Sequence, residues 1–253
     1  MHKLLRCLYR WTAQLVDPLR VLNGLKGFSW YFPDWRKYAG MDGAEEIRLL
    51  ETWPQLHDRT GTSGIDHQYF YVNGWAARRI LSDQPDRHVD VASQAMFANL
   101  LAAVLPVIFV DYRPLKVELP RLVCLGGSIL ALPFASGSID SLSCLHVAEH
   151  IGLGRYGDPL DPQGTRKATL ELFRVLAPGG NLYFAVPVGR PRLCFNSQRI
   201  HSVGTIRDYF SKLELMEFSG VHDDGRFLQG DDLSEFEHSE YACGMFWFRK
   251  PPE

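Results

Sequence analysis

Apolar residues recur along this chain in two rhythms, and the change falls near residue 60. Leu4, Leu8, Trp11 and Leu15 lie three or four positions apart, with Lys3, Arg6 and Arg10 on other faces. That spacing predicts an amphipathic helix, which Asp17-Pro18 interrupts. A second helical stretch is expected over 43–56, ahead of the polar run Asp58-Arg59-Thr60-Gly61-Thr62-Ser63-Gly64, whose turn chemistry marks a domain boundary. Residues 1–60 thus read as a helical extension and 61–253 as the main domain.

Beyond the boundary, helix and strand alternate. His67 to Leu81 reads as a helix, and His88-Val89-Asp90-Val91-Ala92 as a short strand. Phe97, Leu100, Leu101 and Val104 then fall at i, i+3, i+4 and i+7, a helix stopped by Pro106. Val107-Ile108-Phe109-Val110 is a continuous apolar strand ending at Asp111. Further strands are expected before Gly126-Gly127-Ser128, at 138–144, and at 182–187 after an amphipathic helix and Pro178-Gly179-Gly180. Continuous apolar strands alternating with helices predict a parallel sheet covered on both faces. The fold class is therefore α/β: a doubly wound, Rossmann-like sheet of about seven strands. Its last pair, near 213–218 and 241–248, forms an antiparallel edge.

Composition changes this picture at three points. A net charge of −2 over 253 residues supplies no cationic excess for a phosphate backbone, so no nucleic-acid partner is expected. The charge is uneven, however: residues 1–37 carry seven Lys or Arg against Asp17 and Asp34. A basic amphipathic arm suits either a peripheral membrane contact or packing on the domain or on a second copy in a homo-oligomer. Five scattered cysteines without a CxxC pair argue against a disulfide framework and a zinc knuckle, and make a cytoplasmic setting the expectation, peripheral to the membrane if the arm binds it. No apolar run reaches the length of a membrane span.

The chemistry-bearing residues gather at strand ends. In a nucleotide-type sheet, a tight turn after the first strand lets backbone approach the ligand, and a carboxylate at the end of the second strand accepts hydrogen bonds from ribose hydroxyls. Asp90-Val91-Ala92-Ser93-Gln94 and Asp111, 21 residues after Asp90, fit those places. Asp111 could equally terminate its strand by capping a turn. Gly126-Gly127 leaves room for a flat ring beside Ser128 and Ile129. His146-Val147-Ala148-Glu149-His150 has the H-x-x-E-H spacing of inverted zinc proteases. It follows directly on a buried strand and runs into Ile151-Gly152-Leu153-Gly154, which leaves about one helical turn, too little for that scaffold. No metal site is expected. At the carboxyl end of the fourth strand His146 could instead accept a proton from a substrate hydroxyl, or simply line the crevice. The loop 152–164 is longer than an ordinary strand–helix connection, and Arg155, Tyr156 and Asp158 offer it a cation, a ring and a carboxylate for a polyhydroxylated acceptor.

Read together, Gly126-Gly127-Ser128, Leu132-Pro133-Phe134, the strand containing Asp140, Arg174-Val175-Leu176-Ala177-Pro178-Gly179-Gly180 and the strand ending in Pro187 resemble class I S-adenosyl-L-methionine (SAM) dependent methyltransferases. The resemblance implies SAM as cofactor, held by Asp90, Ala92, Ser93, Gln94, Asp111, Gly127, Ser128 and Ile129. It implies a small-molecule or glycan acceptor, with His146, Arg155, Tyr156 and Asp158 as the candidate catalytic set. The chain departs from that pattern where glycines are usual, with Ala92, Gln94 and Met96. Side chains there could crowd the ligand or forbid a left-handed turn, which keeps a non-catalytic scaffold as the alternative. More narrowly, Glu149-His150-Ile151-Gly152-Leu153-Gly154-Arg155-Tyr156-Gly157-Asp158-Pro159, Phe195-Asn196-Ser197-Gln198-Arg199-Ile200 and Cys243 to Lys250 are similar to the bacterial and nematode family known as domain of unknown function 268.

Overall fold

A computed structural model describes residues 2–230 and 234–252, without the side chains at positions 2, 3, 6 and 7; Lys3, Arg6 and Cys7 thus lie outside the described residues. The chain forms two compact units, 1–64 and 65–253.

In the first unit, helix α1 spans His2–Thr12 and α2 spans Pro18–Ala39. The Asp17-Pro18 break is the start of α2. The Asp17 carboxylate accepts Leu19 N–H at 3.0 Å and Arg20 N–H at 3.1 Å, while Pro18 occupies the first turn, where a missing N–H costs nothing. The helix expected over 43–56 is absent apart from one 3-10 turn, Leu49–Glu51. The remainder runs extended back along α2, and a Cβ at Gly27 would stand only 2.8 Å from Leu56 Cβ. Gly27 permits that approach, so 43–56 is held by contact with α2 and needs no apolar stripe of its own.

The second unit is an eight-stranded sheet. Its parallel part comprises β1 (His88–Val91), β2 (Val107–Asp111), β3 (Leu122–Gly126), β4 (Ile139–Leu145) and β5 (Leu176–Val188). A small hairpin, β6 (Arg192–Cys194) with β7 (Gln198–Ile200), stands apart from the sheet. Then follow β8 (Glu214–Val221), the short edge strand β9 (Phe227–Gln229) and β10 (Ala242–Arg249). The spatial order is β3-β2-β1-β4-β5-β10-β8-β9. The last long strand, β10, lies antiparallel between β5 and β8, two places in from the edge strand β9.

Helices α3 (His67–Asp83) and α4 (Ala95–Ala102) cover one face, burying Trp75, Ile80, Phe97 and Leu101 against Phe109, Tyr183 and Met245. Helices α5 (Gly164–Val175), α6 (Val203–Tyr209) and α7 (Ser234–Glu237) go with the other core, around Leu142, Leu172, Phe184, Ile206, Phe236 and Phe246. Burial on both sides explains the unbroken apolar runs of β2 and of the second half of β5.

Candidate functional site

The strand order reverses at β1, which pairs β2 on one side and β4 on the other, all parallel. Their carboxyl ends therefore share one rim, and the crevice between β1 and β4 is where open α/β sheets bind ligands. The turn leaving β1 places Ala92 at φ 55°, so Ala92 adopts the left-handed conformation a glycine would take, at the cost of its methyl group. Gln94 has φ −61° and heads α4, with Asn73 Nδ2 donating to its Oε1 at 2.8 Å. Met96 projects into solvent. The demand for a left-handed residue is thus met at position 92, and positions 94 and 96 do not repeat it.

Asp90 and Ser93 are committed to the scaffold. Ser93 N–H donates to Asp90 Oδ1 at 3.0 Å, Ser143 Oγ donates to Asp90 Oδ2, and Leu145 N–H donates to Ser93 Oγ at 3.0 Å. His88 continues the chain, with Nδ1 2.8 Å from Ser141 Oγ and Nε2 2.8 Å from Ser143 Oγ. This ladder ties β1 to β4 beneath the crevice. Burial pushes Asp90 up to about 6 against the hydrogen bonds from Ser143 and Ser93, and burial pushes His88 down to about 3. The expectation that Ser93 offers its N–H and hydroxyl to a ligand thus differs from the structure, which spends both on the fold.

Asp111 ends β2 and its Oδ1 accepts Arg113 N–H at 2.7 Å, the turn-capping contact. Gly127 does not leave a vacant slot: a Cβ there would sit 2.8 Å from Val110 Cγ1 and 3.2 Å from Pro133 Cδ. Ser128 Oγ accepts Leu130 N–H at 3.2 Å, and Ile129 is buried in the core. The Ser128 hydroxyl, which accepts here and keeps its own proton to donate, therefore remains for a ligand on this side with Asp111.

Past β4, His146 takes φ 57°, a second left-handed residue without glycine. Its Nδ1 lies 3.1 Å from Glu149 Oε1 and its Nε2 lies 3.2 Å from Cys243 Sγ at the start of β10. Burial opposes charge on the ring, yet the Cys243 sulfur and the Glu149 carboxylate outweigh it and push His146 up to about 10. Both ring nitrogens are thus engaged and these partners favour the charged imidazole, which suits His146 to orienting Glu149 more than to taking a proton from substrate. Glu149 is 1% exposed and its Oε2 has no partner among the described residues.

Glu149 and His146 line a cleft of about 830 Å³ whose walls include Tyr69, Arg155, Tyr156 and Tyr241. The Tyr69 ring lies 5.4 Å from that of His146. Burial and then the Glu149 charge push Tyr241 up to about 12 and raise Tyr69 as well, so both phenols stay donors. Of the three loop residues singled out in the sequence, Arg155 and Tyr156 line this cleft and Asp158 does not. Its Oδ2 accepts Gly152 N–H at 2.7 Å and its Oδ1 accepts Tyr156 N–H at 3.3 Å; those bonds hold its carboxyl below the usual range despite the upward pull of burial. Asp158 shapes the loop.

The base of the loop is clamped by Arg199 on β7, whose Nη1 donates to Ile151 O at 2.6 Å and whose Nη2 donates to Asp161 O at 2.9 Å. His150 Nδ1 meets Ser197 O at 2.6 Å. The two short motifs around 149–159 and 195–200 are therefore one structure. At the loop's tip the Tyr156 ring lies between the guanidinium groups of Arg113, 4.5 Å away, and Arg155, 5.1 Å away. Because Arg113 follows Asp111, this stack carries the loop across the rim from β4 to β2. Glu149 and Cys243 each lay in a family-like motif, but Tyr69 and Arg113 carry no local signal and are found only through the fold. No group of three or more His, Cys, Asp or Glu side chains that could hold a metal occurs among the described residues.

Sheet order, switch point and an antiparallel strand inserted beside β5 define the class I SAM methyltransferase fold. Residues 134–243 match the model of the family described as "Caenorhabditis protein of unknown function, DUF268", the segment that contains the clamped loop and its hairpin. No curated protein matches the chain by sequence. Among solved structures, the cyclase SpnF superposes with a TM-score of 0.56 at 14% identity, covering 78% of this chain and 86% of its own. The N-methyltransferase NodS from Bradyrhizobium japonicum WM9, in complex with S-adenosyl-L-homocysteine, gives 0.50 at 18%, covering 72% and 87%. The 1,6-didemethyltoxoflavin-N1-methyltransferase of Burkholderia thailandensis gives 0.51 at 13%, covering 76% and 93%. At these identities the likeness establishes the fold.

Proposed function

We propose that residues 65–253 transfer a methyl group from SAM to a hydroxyl of a small polar or glycan acceptor. The observation that carries this reading is a switch-point crevice sharing its rim with a separate cleft, in which the buried Glu149 has an unpartnered oxygen. Two adjoining places, one for a cofactor and one for an acceptor, are what a transferase needs. The crevice fits SAM in its backbone: Ala92 makes the left-handed turn, backbone at 92–94 and 128–129 borders it, and Asp111 stands where ribose hydroxyls would donate. NodS, of the same fold, is described with S-adenosyl-L-homocysteine. When bound, SAM supplies a methyl group already activated on sulfur, so the chain's own task is positioning and removal of one proton.

Glu149 Oε2 is the atom we assign to that proton. Glu149 lines the acceptor cleft, and His146 engages its other carboxylate oxygen, Oε1. Arg155 and Tyr156 select the acceptor from the opposite wall. The test begins with calorimetry of the purified protein against SAM and S-adenosylhomocysteine. Asp111→Ala should weaken binding by about 1.5–3 kcal/mol, the worth of charge-assisted hydrogen bonds; equal affinity in the folded variant would remove Asp111 from the site.

A second reading is a non-catalytic SAM-fold scaffold. Its support is the replacement of three usual glycines by Ala92, Gln94 and Met96, together with a cyclase among the structural neighbours, since one fold hosts unrelated functions. Absence of any heat signal at millimolar SAM would favour it.

A further inference from the structure

The first unit leaves a large apolar surface that it does not itself cover. On α1 and the turn after it, Leu4, Leu8, Trp11 and Leu15 are 54–89% exposed. On α2, Val21, Leu25, Phe28 and Phe32 recur at i, i+4, i+7 and i+11, a single stripe, and are 37–61% exposed. The other side of α2 is taken: Leu56 packs on Gly27, and Arg59 pairs with Asp34 at 3.1 Å while stacking over Trp30 at 5.0 Å. The returning segment thus covers the small-residue face and leaves the stripe bare. Exposed apolar stripes on two consecutive helices mark a docking surface.

The charges beside it select the partner. Arg10, Arg20, Lys26, Arg36 and Lys37 are all exposed on these two helices. The two carboxylates among them are occupied, Asp17 by the N–H groups that begin α2 and by the Tyr9 hydroxyl, Asp34 by Arg59. A second copy docking face to face would oppose one cationic surface to another, because a two-fold contact uses the same patch twice. An acidic lipid surface complements both features at once. We infer that the α1–α2 face lies on a bilayer containing anionic lipid, with its apolar stripes in the interface and its cations at the headgroups. Among the described residues no helix is long and apolar enough to cross a membrane, so the contact lies along the surface.

The full chain should co-sediment with phosphatidylcholine vesicles containing phosphatidylglycerol, bind poorly to phosphatidylcholine alone, and be released by raised salt, which screens the headgroup charge. Trp11→Glu combined with Leu25→Glu should abolish binding with the circular dichroism spectrum unchanged. Arg10→Gln and Arg20→Gln, which leave every apolar contact intact, should each lower the partition coefficient about fivefold. Wild-type protein that stays in the supernatant with both vesicle types overturns the inference. So does light scattering that shows a dimer which Trp11→Glu with Leu25→Glu converts to monomer, since the occupant would then be a second copy.

Discussion

Asp90 and His88 sit one residue apart on β1 and respond to acid in opposite directions. His88 is held neutral, near 3 against an ordinary 6.5, and His201 is pushed by burial to about 4. As pH falls below 6.5 the unfolded chain takes up these two protons and the folded chain does not, so stability falls. Asp90 titrates near 6 when folded against 3.8 unfolded, so between those values the folded chain takes up its proton first and gains stability as pH falls. Asp90→Asn removes that offset. Its stability should therefore decline more steeply than wild type between pH 6 and 4, by about 1.4 kcal/mol per pH unit, read from urea midpoints across that range. Parallel slopes would show that Asp90 does not carry this proton. At the cleft, Glu149→Gln should drop the His146 imidazole by about one to three pH units in NMR titration, as expected when an adjoining carboxylate is removed; an unmoved His146 would mean Cys243 alone governs it. At this scale the sequence was readable in part. The spacing of Asp90 and Asp111 located the rim, but the commitment of Ser93 to Leu145, and of His146 to Cys243, depends on partners about 50 and 97 residues away, which no local pattern contains.

Among the elements, the 152–164 loop is organised by backbone approach as much as by side chains. Gly152 takes φ 80°, and a Cβ there would collide with the Asp161 carbonyl; Gly164 is pressed in the same way against Ile151. Gly152→Ala should therefore cost about 2–4 kcal/mol from strain and displaced backbone, measured by denaturant unfolding, whereas Gly157→Ala, with nothing within 4 Å of its Cβ, meets only the strain of its positive φ and should cost less. Equal losses in the two would argue against the close approach at the loop base. The long helix α2 shows why some elements escape sequence reading. Asp17-Pro18, Gly24, Gly27 and Pro33 each look like a break, yet two of them start the helix and Gly27 lets Leu56 pack upon it. Conversely the apolar residues of 43–56 read as a helix because their spacing is permissive, and Leu49 and Leu50 prove to be exposed. Strand β2 was legible because burial on both faces makes Val107 to Val110 continuously apolar, whereas β1 and β4, which carry the buried His88, Asp90, Ser141 and Ser143, were placed by their position in the alternation; the hairpin β6–β7 was not legible, having only three residues in each strand.

For the molecule as a whole, β10 is the decisive placement. It is the last strand in sequence but lies inside the sheet, pairing β5 from Ala242 to Arg249 and β8 along its other edge. A chain ending at Glu240 should not fold to a monomer with near-native circular dichroism, because β5 and β8 would each present a bare edge and the cores would lose Met245, Phe246 and Phe248. A cooperative thermal transition in that truncated protein would refute the dependence. The same placement sets an order of events during synthesis. Domains tend to fold as units once their sequence is available, and here the strand that joins β5 to β8 is made after every other strand of the sheet and carries Cys243, the partner of His146. The β1–β4 crevice can begin to form while translation continues, but the neighbouring cleft cannot take its final shape until β10 has emerged, so a ribosome stalled just before Ala242 would hold a nascent protein with the switch-point crevice built and the cleft beside it open.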